Sequence, residues 1–116
     1  MPGTVLVVDD EPSIRLLCRI NLELEGYQVL EAGTLADARS AAASPDLSLV
    51  LLDLRLGNES GRTLLEELRS RTPRVPVALV TGSAELDCGD GTADATLVKP
   101  FTIDVLLRTV RELTSR

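Results

Sequence analysis

The sequence predicts an open α/β fold, with five parallel strands covered by helices on both faces. Three observations carry this. Short aliphatic runs alternate with helical stretches along the whole chain, the pattern of parallel strands joined by crossovers. Two of those runs, TVLVVD (4–9) and LSLVLLD (47–53), are near-continuously apolar, as strands buried on both faces are. Aromatic residues are almost absent, with Tyr27 and Phe101 alone, so the core is Leu, Val, Ile and Ala. The 116 residues are expected to form one domain, 1–116. A chain of this size buries about two-thirds of its unfolded surface.

The elements follow in order. After the strand at 4–9 comes a helix over 12–26, with Pro12 suited to a first turn and Gly26 to a stop. QVLEA (28–32) is a weaker strand. TLADARSAAAS (34–44) opens with a Thr cap and an Asp three residues later. The strand at 47–53 is followed by a helix over 60–71 that stops before Pro73. VPVALVT (75–81) and ATLV (95–98) complete the strands, and TIDVLLRTVRELTSR (102–116) opens with Thr102 as cap. The link GSAELDCGDGTAD (82–94) breaks the rhythm with three glycines and four acidic residues. The fourth helix in chain order, expected here, is therefore short or unwound.

The net charge of −6 argues against nucleic-acid binding, since phosphate backbones demand clustered Lys and Arg. No apolar run is long enough to span a bilayer. No signal peptide is recognised. Cys18 and Cys88 fit neither a metal nor a redox spacing. The expectation is a cytoplasmic protein with reduced thiols, Cys18 packed in a helix and Cys88 exposed.

The candidate site lies where the apolar runs stop. Asp9 and Asp10 close the first, Asp53 the third, Thr81 the fourth and Lys99 the fifth. Lys99 is the sole lysine among twelve basic residues. Each position alone has an ordinary reading as a cap, turn or loop residue. Together they converge, because ligands of open parallel sheets bind at the carboxyl ends of the strands. Clustered carboxylates repel unless a cation joins them, and carboxylates with water and a backbone carbonyl suit Mg²⁺. Such an ion would hold a phosphoryl group while one carboxylate acts as nucleophile. Lys99, a compact charge on a flexible stem, would offset charge on the phosphoryl oxygens, and the Thr81 hydroxyl would donate to one of them.

The stretches VLVVDDEP (5–12), LLDLRLGNESG (51–61), VTG (80–82) and LVKPF (97–101) resemble the receiver domain of bacterial two-component response regulators, in order and over the whole chain. The resemblance implies a flavodoxin-like doubly wound sheet of order 2-1-3-4-5. It implies that Asp53 accepts a phosphoryl group from a phosphohistidine on a sensor histidine kinase or a histidine phosphotransfer protein. Asp10 would be a direct Mg²⁺ ligand, Asp9 a ligand mainly through water, and the carbonyl of Arg55 the third protein ligand. Thr81 and Lys99 would sense and hold the phosphoryl group, and Lys99–Pro100 would be cis. A receiver catalyses only its own phosphorylation and dephosphorylation and is no enzyme in the ordinary sense. No output domain is expected within 1–116, and a monomer is expected.

Three departures from the family pattern stand out. Gly57 replaces the usual proline and is expected to loosen the loop 54–60. Thr96 replaces the usual Tyr or Phe, removing the ring that reports phosphorylation. The span from Thr81 to Lys99 is about one helical turn short. The last two departures leave room for a receiver-like binding module that is not switched. A hydrolase with an aspartate nucleophile would want a second Asp two residues after Asp53, where Arg55 stands. On the first helix, Ile14, Leu17, Cys18 and Leu22 form the expected buried face. Leu16, Ile20 and Leu24 form a second stripe, either partly covered surface or a docking face for the phosphodonor.

Overall fold

The structure is a computed structural model that describes residues 3–71, 74–82 and 93–115. The expected short helix in 82–94 and the surroundings of Cys88 lie outside the described residues. In chain order the elements are β1 (Thr4–Val8), α1 (Pro12–Leu24), β2 (Gln28–Ala32), α2 (Leu35–Ala42), β3 (Leu47–Asp53), β4 (Arg55–Leu56), β5 (Glu59–Ser60), α3 (Arg62–Arg69), β6 (Val77–Thr81), β7 (Ala95–Val98) and α4 (Ile103–Thr114). The five long strands pair in parallel in the order β2-β1-β3-β6-β7. This is the doubly wound order that the resemblance to receiver domains implied.

Strand side chains alternate between faces with a period of two, and β1, β3 and β6 use both faces as core. Val5, Val7, Leu49, Leu51, Ala78 and Val80 pack with Cys18 and Leu22 of α1 and with Leu106, Val110 and Leu113 of α4. Leu6, Val8, Val50, Leu52, Val77 and Leu79 pack with Ala38 and Ala42 of α2 and with Leu64, Leu65 and Leu68 of α3. That is why these strands read as continuous apolar runs. The edge strands β2 and β7 are only partly covered and carry the weaker runs.

The termini of the elements follow local chemistry. Thr34 Oγ1 accepts from the Asp37 N–H at 3.1 Å and Thr102 Oγ1 from the Val105 N–H at 3.2 Å, so both expected caps form. β6 starts at Val77 rather than at residue 75. Pro76 has no N–H to give the ladder, although its carbonyl accepts from Val50 at 3.0 Å. The third helix begins at Arg62, with Gly61 as its cap residue. Ser60 instead forms β5 and accepts from the Arg62 N–H at 3.2 Å.

Two expectations are corrected. Leu17 does not belong to the buried face of α1. It is 37% exposed, while Cys18 and Leu22 are buried, because the contact arc of α1 against the sheet centres on residues 18 and 22. The loop 54–60, where Gly57 was expected to bring slack, is not irregular. It forms an antiparallel hairpin, Arg55 opposite Ser60 and Leu56 opposite Glu59. Gly57 takes φ 60 at the turn, a conformation that two-residue hairpins need and glycine supplies without strain.

Candidate phosphoryl and metal site

The chain crosses from one half of the sheet to the other between β1 and β3, and ligand crevices open at the carboxyl ends of such neighbours. Asp9 and Asp10 leave β1 there, Asp53 ends β3 and Thr81 ends β6. Lys99 follows β7, and its N–H donates to the Thr81 carbonyl at 2.7 Å. The Lys99–Pro100 peptide is cis, as the resemblance implied. A cleft of about 450 Å³ opens over the rim, lined by Asp10, Glu11, Asp53, Arg55, Thr81 and Lys99 among others.

Asp9, Asp53 and Thr81 are buried, and Asp10 is exposed at the mouth. Lys99 Nζ reaches inward to Asp9 Oδ2 at 2.9 Å, Asp53 Oδ2 at 3.1 Å and Glu11 Oε1 at 3.3 Å. Backbone donors fix the other oxygens. Glu11 N–H donates to Asp9 Oδ1 and Arg55 N–H to Asp53 Oδ1, each at 2.9 Å, while Gly57 N–H donates to Asp10 Oδ2 at 3.0 Å. Gly61 lets the chain pass tightly behind the site. A Cβ there would lie 2.9 Å from the Asp53 carbonyl oxygen.

The electrostatics are those of a site short of positive charge. Burial pushes the Asp9 carboxyl above its ordinary value, against the Glu11 N–H and Lys99, with the Asp53 charge adding to the rise. Burial would lower the Lys99 ammonium, but the close carboxylates of Asp9 and Asp53, the latter also hydrogen-bonded to it, outweigh that and hold it above its ordinary range. Although Lys99 lies 2.9 Å from Asp9 Oδ2, that buried oxygen has no hydrogen-bond partner among the described residues. The approach is an ion contact out of line for a hydrogen bond, from an ammonium already shared among three carboxylates.

These residues fit a hard divalent cation. Asp9, Asp10 and Asp53 each present an oxygen, and the three lie within 4.8 Å of one another. In an octahedral Mg²⁺ shell, opposite ligands are about 4.2 Å apart. The orphaned oxygen of Asp9 is the kind of acceptor a cation satisfies.

All the residues singled out from sequence reach this rim, Arg55 through its place in the hairpin. Sequence reasoning missed Glu11, Gly57 and Arg15. The Arg15 guanidinium, held by Glu31 at 3.3 Å, donates to the Asp9 carbonyl at 2.7 Å. Glu11 could have been suspected from its place after two aspartates. Gly57 stood out only as a departure expected to loosen its loop, and nothing local signalled Arg15. Cys18 lies buried beneath the site, and burial first of all pushes its thiol up to about 12, which leaves it unreactive.

The sequence model of the family described as response regulator receiver domain matches residues 5–111. The chain belongs to that family. Similar receivers extend to named regulators. The chain is 37% identical to the DNA-binding dual master transcriptional regulator RpaA of Synechocystis sp., over 97% of this chain and 49% of that protein. It is 40% identical to the transcriptional regulatory protein KdpE of Mycobacterium tuberculosis, over 97% of this chain and 51% of that one. The receiver chain thus spans about half the length of these curated relatives. Among solved structures, the response regulator protein TrrA of Thermotoga maritima, in complex with Mg²⁺–BeF, superposes with a TM-score of 0.85 at 33% identity, covering 96% of this chain and 98% of that one. A receiver domain from Methanospirillum hungatei superposes with a TM-score of 0.88 at 30% identity, covering 97% and 94%. Among the described residues no helix is long and apolar enough to cross a membrane.

Proposed function

We propose that this receiver domain takes a phosphoryl group onto Asp53 from a phosphohistidine on a sensor histidine kinase or a histidine phosphotransfer protein. The observation that carries this is the Lys99 ammonium bridging the buried carboxylates of Asp9 and Asp53, beneath a cleft open to a donor. A carboxylate oxygen of Asp53 attacks phosphorus, a P–O bond forms, the P–N bond breaks, and the imidazole leaves with the electron pair. Arg55 N–H holds Asp53 Oδ1 and so fixes the plane of the nucleophile. Lys99, on a flexible stem, is placed to meet the incoming phosphoryl oxygens, and the buried Thr81 lines the same cleft. Asp9, Asp10, Asp53 and the carbonyl of Arg55 would hold Mg²⁺, which when bound neutralises the phosphoryl charge. Arg15 and the Glu11 N–H keep Asp9 in place.

The donor is proposed to dock on α1, where Leu16, Ile20 and Leu24 are 55%, 50% and 78% exposed in one stripe along the helix that leaves the rim. These residues carry the receiving step. An output segment, as in the longer relatives, would belong to other parts of a protein, and a monomeric domain suffices for the step.

Intact mass after incubation with Mg²⁺ and a small acyl phosphate tests the acceptor. The wild type gains one phosphoryl group and Asp53→Asn gains none. An adduct that persists in Asp53→Asn would sink the assignment. Leu16→Glu with Ile20→Glu is expected to slow transfer from a phosphohistidine donor while sparing the acyl phosphate reaction. Equal rates from both donors would remove α1 from the docking surface.

A further inference from the structure

Asp10 differs from its fellow ligand candidates. Asp9 and Asp53 are buried, whereas Asp10 is exposed and its carboxylate is free of steric confinement. What restrains it is the Gly57 N–H, 3.0 Å from Oδ2. That donor is delivered by the β4–β5 hairpin, and the hairpin is itself tied down. Leu56 is buried in the core, Gly61 N–H donates to the Leu54 carbonyl at 2.8 Å, and the Leu35 N–H at the start of α2 donates to Glu59 Oε1 at 3.2 Å.

We propose that Gly57 is a positioning residue for metal binding: its N–H, presented at φ 60 by the hairpin, holds the Asp10 carboxylate turned towards Asp9 and Asp53. The proposal rests on the assignment of Asp10 as a metal ligand and extends it. A ligand held by a neighbouring hydrogen bond loses less orientational freedom on binding, and removal of such partners typically weakens metal affinity about 10–100-fold. The role depends on a backbone that proline could not supply. Proline has no N–H, and its φ is fixed near −65°. Linkage makes the coupling reciprocal, so an ion on Asp10 also steadies the hairpin.

The test is a titration of the whole chain with Mg²⁺ alone, read by calorimetry and by amide resonances. Gly57→Asn keeps the N–H and tolerates positive φ. Among the described residues, no atom beyond its two chain neighbours lies within 4 Å of the position its Cβ would take. It is expected to bind Mg²⁺ close to wild type. Gly57→Pro is expected to bind about tenfold more weakly or worse. Equal affinity in the proline variant and wild type overturns the proposal and leaves the metal assignment standing. A wild type that takes up no Mg²⁺ overturns both. If the proline variant does not fold, hydrogen exchange at the residue 57 amide of the wild type decides. Slower exchange with Mg²⁺ supports the proposal, and exchange unchanged by Mg²⁺ overturns it.

Discussion

Two regions of this receiver are both buried and are opposite in energy. In the middle of the sheet, Leu6, Val50 and Leu52 are buried among aliphatic neighbours. At the carboxyl rim, Asp9, Asp53 and Thr81 are also buried, though Asp53 and Thr81 line the cleft, and they are buried around charge. Burying aliphatic carbon stabilises a fold by about 25 cal/mol per Å². Burying a carboxylate costs free energy that one shared lysine repays only in part. The comparison teaches that in this chain the strand interiors hold the fold together, while their polar tips are held in place by it at a cost.

Substitutions can break this contrast. The largest effect is expected in the core. Leu52→Ala removes a side chain packed between β1, β6 and the α2–α3 layer, and should cost about 2–5 kcal/mol in denaturant unfolding. A loss under about 1 kcal/mol would mean that the layer is loosely packed. Lys99→Met comes next. It leaves Asp9 and Asp53 facing each other without their ammonium, and should cost about 2 kcal/mol at neutral pH, with much of the loss recovered on acidification as the carboxyls take up protons. A pH-independent loss would assign Lys99 a packing role instead.

Asp9→Asn should act in the other direction and stabilise the metal-free chain by roughly 1 kcal/mol. The sign follows from linkage. Asp9 has a raised carboxyl, so the folded chain holds a proton that the unfolded chain has released above about 3.8. Stability therefore falls as pH rises from there through the raised value, the reverse of an ordinary ion-paired carboxylate. The variant should lose that slope, and saturating Mg²⁺ should stabilise the wild type more than it stabilises the variant. A wild type whose metal-free stability rises across the same window would contradict this. The smallest effect is expected far from the rim. The Tyr27 hydroxyl lies 3.0 Å from Thr114 Oγ1, which also donates to the Val110 carbonyl. Tyr27→Phe should cost only about 0.5 kcal/mol in thermal unfolding, since Thr114 keeps its second partner.

Much of the fold was legible because it is written in short-range patterns. The runs at 4–9 and 47–53 read as doubly covered strands and are so, and Thr34 and Thr102 cap the helices they precede. Boundaries erred where a neighbour decided them. Leu17 looked buried on a helical wheel, but the sheet touches α1 along a narrower arc. Gly57 looked like a source of slack until the chain on either side of it paired into a hairpin.

The candidate site divides in the same way. Its residue types, and their places at the ends of apolar runs, were determined by the sequence alone, since a strand's end and its polar tip are local facts. Only the tertiary structure decided that Lys99 spans Asp9 and Asp53, that Arg15 grips the Asp9 carbonyl and that Gly57 faces Asp10. Those contacts join segments far apart in the chain. Their distances depend on which strands lie side by side, and a periodic pattern carries no information about its neighbour.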